Sequence, residues 1–150
     1  MRRASRGLAV MVLVAALALS ACSRTRVAYV DADAHYTTQQ LQALLNQTSL
    51  GSVGDEPANR APELRHEALV QLRSQGKAQS GAADVITKAF PAATASVPIY
   101  VERAEFDGAG SLILIEAWRD SRGRLSAKRL WVIDAESGEI RYSASSGSRR

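Results

Sequence analysis

The sequence has few of the residues on which enzymes most often rely. Among 150 residues it contains one cysteine and two histidines, and aromatic residues make up 5% of the chain. One cysteine excludes an internal disulfide and a zinc site built from several thiolates. Two histidines leave few general bases that work near neutral pH. The sequence also has no Gly-x-Ser-x-Gly elbow, phosphate-binding loop or dinucleotide fingerprint, which are signatures of large enzyme classes.

The basic excess of the chain is confined largely to its N-terminus. The formal net charge is +4 and the pI is near 9.6. Arg2, Arg3 and Arg6 lie in the first seven residues, which contain no acidic residue, whereas residues 61–143 have equal numbers of acidic and basic residues. This balance argues against a nucleic-acid partner, because nucleic-acid-binding domains present a basic face.

The first 21 residues have the three-part order of a secretory signal peptide. The basic residues are followed by an uncharged apolar run over residues 8–19, and then by the small residues Ser20 and Ala21. This order predicts a signal peptide that is removed on export. The apolar run is too short to be a good spanning helix, which needs about 20 residues.

The apolar run ends in Leu19-Ser20-Ala21-Cys22, which resembles the lipobox of bacterial lipoproteins. The resemblance implies cleavage between Ala21 and Cys22, a diacylglycerol group on the Cys22 thiol, and acylation of the new amine by a fatty acid such as palmitate. Two or three acyl chains give durable anchoring, because one chain binds a membrane only marginally. We therefore expect a cell-envelope protein on the extracytoplasmic side of the cell membrane, or of the outer membrane if there are two membranes. A buried free cysteine and ordinary secretion are the alternatives.

Residues 22–60 are predicted to form a tether between the lipid and a folded domain. Thr37 or Thr38 can cap a short amphipathic helix near 37–46. Turn-forming residues over 50–60 indicate the boundary with the domain.

Within this tether, Asp31, Asp33 and His35 alternate with alanines after a possible short strand over 27–30. In an extended chain these three side chains share one face. Two carboxylates and an imidazole can bind a divalent cation, although a metal site usually has more ligands and a supporting second layer. A polar linker is the simpler interpretation.

Residues 61–143 are predicted to form an α+β domain. Pro62 suits the first turn of a helix, which Gly76 can close. Ser80 is expected to cap a second helix, which Pro91 ends because proline disfavours helix in the preceding residue. We expect these two helices to pack on the sheet that follows.

After Pro91, four β-runs separated by glycine-containing turns predict a three- to four-stranded antiparallel meander. Leu112 to Ile115 is apolar at every position, as expected of a central strand covered on both faces. The last residues, 144–150, are small, polar and basic, and are predicted to be a disordered tail.

The second and third β-runs predict which side chains share a face. One register sets Glu116 opposite Arg129 and Leu114 opposite Trp131, and such pairs stabilise a sheet by about 0.2–1 kcal/mol each. We expect the helix pair to cover the aliphatic face, which carries Ile113, Ile115, Leu130 and Val132. The opposite, mixed face is expected to be partly open.

The candidate binding face lies on this mixed side and consists of Glu116, Trp118, Arg129 and Trp131, hereafter the tryptophan face. Tryptophan and arginine are favoured at protein interfaces. The alternative is that both tryptophans cover the core, since large aromatic residues dominate cores as well.

No catalytic residue, metal site or cofactor is predicted. His66-Glu67 begins like a zinc-protease helix, but Val70 occupies the position that the second histidine needs. The carboxylates near the first hairpin are interpreted as solvated ion pairs, the common state of such residues. They are Glu102, Glu105, Asp107 and Glu116.

The segment from Trp131 to Ile140 is similar to the closing hairpin of PepSY-type envelope domains, in which a strand ends in Asp-x-x-Thr/Ser-Gly. Here the pattern is Asp134-Ala135-Glu136-Ser137-Gly138. The resemblance covers about ten residues of a turn type in which glycine supplies the positive φ. It is consistent with an envelope domain, and we do not transfer the protease-inhibitory role proposed for that family.

The sequence thus predicts a non-catalytic lipoprotein that is held on the membrane through Cys22 and binds an envelope protein or a ligand through the tryptophan face. One alternative is a small-ligand sensor in which the helix containing Leu41 covers the sheet as a lid. The other is a metal-dependent envelope hydrolase that uses Asp31, Asp33 and His35.

Overall fold

The computed structural model describes residues 26–91 and 95–146. The predicted signal peptide, its cleavage site and Cys22 lie outside the described residues, as do residues 147–150. In chain order the elements are β1 (Ala28–Tyr36), α1 (Thr38–Gln47), α2 (Ala61–Ser74), α3 (Lys77–Ala89), β2 (Ser96–Phe106), β3 (Ala109–Trp118), β4 (Ala127–Asp134) and β5 (Ile140–Ser146). Two short 3-10 helices, Gly51–Asp55 and Ala58–Arg60, connect α1 to α2.

The described residues form one mixed sheet with the strand order β1-β2-β3-β4-β5, so the predicted α+β class is confirmed. Strands β2 to β5 make the predicted antiparallel meander. The register of β3 and β4 is also confirmed, with Glu116 opposite Arg129 and Leu114 opposite Trp131. Every residue of β3 from Ser111 to Ala117 is buried, as expected of a strand covered on both faces.

The fifth strand, β1, comes from the region that the sequence analysis assigned to a tether. It pairs in parallel with β2 along one edge of the sheet. Asp31, Asp33 and His35 are exposed and the residues between them are half-buried, an alternation typical of an edge strand. Hydrogen bonding to β2 therefore orders a segment whose own composition is polar, and the folded unit begins well before residue 61.

The helices begin and end close to the predicted positions, with one exception. Thr37 caps α1 in a reciprocal capping box with Gln40. Pro62 lies in the first turn of α2. The prediction that Ser80 caps α3 is wrong, because α3 begins at Lys77 and Ser80 lies inside it. Gly76, with φ of 150°, lets the chain turn between α2 and α3 within two residues.

Helices cover both faces of the sheet, but not in the predicted arrangement. The helix pair α2–α3 covers the tryptophan face, where Arg65 contacts Glu116 and Phe90 contacts Trp131. Helix α1 lies on the opposite, aliphatic face, and Lys128 of β4 donates to carbonyl groups at its end. The prediction that the helix pair covers the aliphatic face is therefore wrong. The helix pair can pack on the mixed face because Arg65 of α2 neutralises the buried Glu116 carboxylate.

Strand β5 extends to Ser146, so residues 144–146 belong to the sheet and not to the predicted tail. Within the described part of the chain, no helix is long and apolar enough to cross a membrane.

Candidate binding face

The fold brings the four residues of the tryptophan face into one cluster. The indole N–H of Trp131 donates to Glu116 at 3.0 Å. The guanidinium carbon of Arg129 lies 3.8 Å from the ring centroid of Trp118 and 5.2 Å from that of Trp131. Arg129 is therefore held against two indole rings, as cation–π attraction favours. Adjacent positions on β3 and β4 produce this arrangement, since both strands present alternate residues to the same face.

Beneath this cluster lies a buried ion pair. Arg65 of α2 donates to Glu116 at 2.5 Å, and the two residues are only 5% and 3% exposed. Arg65 also donates to the backbone carbonyl of Ser96 at 3.3 Å. Sequence analysis did not identify Arg65, although this residue directly follows Leu64, which is buried on α2. Its partner lies 51 positions later in the chain, and no local pattern links the two.

The helix pair buries one of the four residues of the tryptophan face and leaves the other three half-buried. The Phe90 ring contacts the Trp131 ring with a centroid distance of 5.0 Å and an interplanar angle of 49°. Glu116 is buried, whereas Trp118, Arg129 and Trp131 are half-buried. Phe90 covers part of Trp131, so Trp118 and Arg129 are the residues that another molecule can most readily contact.

This cluster contains more hydrogen-bond donors than acceptors. Among the described residues, Arg65 Nη2 and Trp118 Nε1 are buried donors without an acceptor, which is uncommon in folded proteins. The guanidinium of Arg129 has no ion pair within residues 26–91 and 95–146, while the Glu116 carboxylate already accepts from Arg65 and Trp131. The two buried donors are closed to solvent, so only the Arg129 guanidinium is open to a partner, and a carboxylate matches its fork of N–H groups.

The interpretation of the carboxylates as solvated ion pairs is wrong for Glu116 and also for Glu102. Glu102 lies on the α1 side of β2, is 2% exposed and accepts from Tyr100 at 2.6 Å and from Tyr36 at 3.0 Å. Burial raises the pKa of Tyr36 to about 12, and the Glu102 charge contributes. Burial likewise raises the pKa of Tyr100, with the hydrogen bond to Glu102 as the next cause. Both phenols therefore stay protonated and serve as donors to Glu102.

The three residues of the metal-site alternative line one open pocket on β1, of about 390 Å³, together with Arg103 and Glu105. His35 Nδ1 lies 3.3 Å from Glu105. Over the described ranges no group of three metal-ligating side chains stands close enough to hold an ion. His66 is exposed on α2.

The lid alternative predicts a closed cavity between α1 and the sheet. Leu41 and Leu45 of α1 are fully buried, so this helix packs directly on the strands. An open groove of about 470 Å³ lies at the end of α1, where Leu50 and Tyr100 are among its lining residues. A second groove, of about 550 Å³, lies on the other face between α3 and the sheet, next to Leu112.

No family model, no curated protein and no solved structure matches the chain. The likeness to lipoproteins rests on residues 19–22, and the likeness to PepSY-type domains rests on residues 131–140.

Proposed function

We propose that the protein is a non-catalytic lipoprotein of the cell envelope, whose domain binds an acidic group of another envelope protein through Trp118 and Arg129. The observation that carries the binding role is the half-buried cation–π pair with unused arginine donors. The lipobox resemblance at Cys22 supports the anchored location.

The contacts that hold Trp118 and Arg129 in place support this role. Arginine and tryptophan are enriched among the residues that dominate binding energy. Because the Arg129 guanidinium already lies against the Trp118 ring, little side-chain freedom is lost when a carboxylate binds. The buried contacts of Glu116 and Trp131 keep the pair in position.

The start of the folded unit supports an anchor of short reach. Val27 is buried, and its backbone N–H donates to the Gln71 side chain at 2.9 Å. Only four residues separate Cys22 from Val27 in the sequence. An extended chain over that interval spans at most about 17 Å, so an acylated Cys22 would keep the domain close to the bilayer.

Binding is tested by cross-linking in intact cells followed by affinity purification of the Arg129→Ala and Trp118→Ala variants. We expect each variant to lose the cross-linked partners that the unchanged protein retains. Arg73→Ala is the matched control, because Arg73 is an exposed arginine of α2 outside the tryptophan face. Recovery of the same partners by all three variants, with circular dichroism showing intact folds, would contradict the binding proposal.

The anchor is tested separately by Cys22→Ala. This variant should accumulate as an uncut precursor or leave the membrane fraction, because the acylated sulfur is missing. Mass spectrometry of the unchanged protein should show a mature chain that begins at Cys22 and carries fatty acyl groups. An unmodified thiol would contradict the anchor without affecting the binding proposal.

A second candidate function is the binding of a small amphipathic anion in the groove between α3 and the sheet. Its apolar lining includes Ala82 and Leu112, and the basic residues Lys77 and Arg103 lie at its rim without an ion pair among the described residues. Dodecanoate can serve as a probe in calorimetric titration. Gly81→Leu should abolish any binding, because the space beside Gly81 is open and a leucine there fills the groove.

A further inference from the structure

The charges of this domain are separated along the strand direction. The loop from 119 to 126 joins β3 to β4 at one end of the sheet, where β1 and β2 begin. We call this the basal end. The turns at 107–108 and 135–139 lie at the opposite, apical end, where β1 and β2 finish. The net charge of residues 61–143 does not reveal this separation, because the opposite charges of the two ends cancel.

The apical end is acidic. Its turns and the adjoining strand ends carry five carboxylates, namely Glu105, Asp107, Asp134, Glu136 and Glu139. Arg141 pairs with Asp134 at 3.2 Å, and the Lys88 side chain packs beside Gly138. Lys77 and Arg103, which line a groove with Ala135, also lie near this end, and His35 lies 3.3 Å from Glu105, so the five carboxylates exceed the four Lys and Arg side chains by one.

The basal end is basic. Its loop carries Arg119, Arg122 and Arg124 against one acidic residue, Asp120. The Asp120 carboxylate is held inside the loop, where it accepts from the backbone N–H groups of Arg122 and Arg124 at 2.8 and 2.9 Å. This leaves the arginine side chains on the outside of the loop.

The other acidic residues near the basal end are matched by their own partners. Asp55 lies 3.4 Å from Arg124, and Arg60 contacts both Glu56 and Glu63. The exposed guanidinium groups of Arg26, Arg119 and Arg122 form no ion pair within the described part of the chain. The unmatched positive charge therefore lies at the end from which the chain continues towards Cys22.

We propose that the basal end of the domain rests on an anionic phospholipid surface, with Arg26, Arg119 and Arg122 facing the headgroups and the acidic apical end turned outward. This orientation rests on the proposed lipid anchor. The anchor supplies proximity, because four residues link Cys22 to the buried Val27. The charge separation supplies direction, because anionic headgroups attract the basal arginines and repel the apical carboxylates within a Debye length of about 8–10 Å.

The test uses the full acylated protein with one engineered thiol, since the acylated Cys22 has none. Ser121→Cys places it in the basal loop and Ser137→Cys in an apical turn, and both serines are exposed. Maleimide labelling is timed in phosphatidylglycerol vesicles, in phosphatidylcholine vesicles and in detergent. For each thiol, the labelling rate in vesicles is divided by its rate in detergent. In phosphatidylglycerol vesicles we expect this ratio to be about fivefold lower for the basal thiol than for the apical thiol.

This contrast should largely disappear in phosphatidylcholine vesicles, at high salt, and in the Arg119→Glu, Arg122→Glu double variant. Equal labelling of both thiols in phosphatidylglycerol, with the protein still floating with the vesicles, would overturn the orientation. A contrast that persists in phosphatidylcholine would overturn the role of charge. Failure of the anchor is distinguishable, because the protein would then not float with the vesicles at all.

Discussion

Arg65 of α2 and Glu116 of β3 form a buried ion pair at 2.5 Å, although 51 positions separate them in the chain. This contact joins the helix pair to the central strand. It also distinguishes the two faces of the sheet, because buried Glu116 pairs with a cation of α2, whereas buried Glu102 on the α1 side accepts from two tyrosines.

Removal of one partner of this pair should strongly destabilise the fold. We expect Arg65→Ala to lower the free energy of unfolding by about 3–5 kcal/mol, because Glu116 would keep a buried charge without its cation. Urea unfolding measures the change. Arg73→Ala is the control, since the exposed Arg73–Asp84 pair should contribute no more than about 1 kcal/mol. Equal effects of the two substitutions would contradict the structural role of Arg65.

The tyrosines around Glu102 predict a loss of stability at alkaline pH. The pKa of Tyr36 is raised from 10.0 to about 12 in the folded protein, so folding favours the protonated phenol. The stabilisation is complete below pH 10 and is lost as pH rises from 10 towards 12. Thermal unfolding across this range should show the decline, and Tyr36→Phe should make it shallower. A Tyr36→Phe profile identical to that of the unchanged protein would refute this assignment.

The turn between β4 and β5 predicts a loss of stability at acidic pH. Backbone N–H groups of Ser137 and Glu136 donate to Asp134 and lower the pKa of its carboxyl below the ordinary 3.8. Stability from the ionised form is therefore present above about pH 4 and is lost as pH falls through the lowered pKa. Carboxyl chemical shifts followed by NMR should give a midpoint below 3.8 for Asp134. Asp134→Asn should remove this part of the pH dependence.

Two glycines, one in α3 and one directly before it, should respond in opposite directions to the same substitution. Gly76 has φ of 150°, and Gly76→Ala should cost about 1–3 kcal/mol because that backbone region is nearly exclusive to glycine. Gly81 lies inside α3 with open space at its Cβ position, and Gly81→Ala should stabilise the protein by about 0.5–1 kcal/mol. Chemical unfolding of the two variants side by side provides the comparison.

Local and cross-strand patterns were sufficient to predict much of this fold. The Thr37 cap, the end of α3 before Pro91 and the Glu116–Arg129 register all follow from short-range rules. The Arg65–Glu116 pair does not, since its attraction depends on a packing arrangement that neither residue encodes locally. Sequence analysis consequently placed the helix pair on the wrong face, although it identified the residues that cluster on the tryptophan face.

Strand β1 was the other element that local patterns concealed. Its alternating charges indicate a solvated segment, and the partner that orders it, β2, begins 60 residues after β1 ends. A parallel pair of this kind needs a long connection, here containing α1, α2 and α3, so no hairpin signal marks it in the sequence.

The position of β1 also determines how the domain responds to mechanical force. A pull on the chain ahead of Ala28 acts along the axis of β1, which pairs with β2 from Ala28 to Asp31 and again at His35 and Tyr36. Force in this direction loads the ladder in shear, so the hydrogen bonds of the first segment share the load. We therefore expect β1 to detach under force applied at its N-terminal end only when these bonds break together.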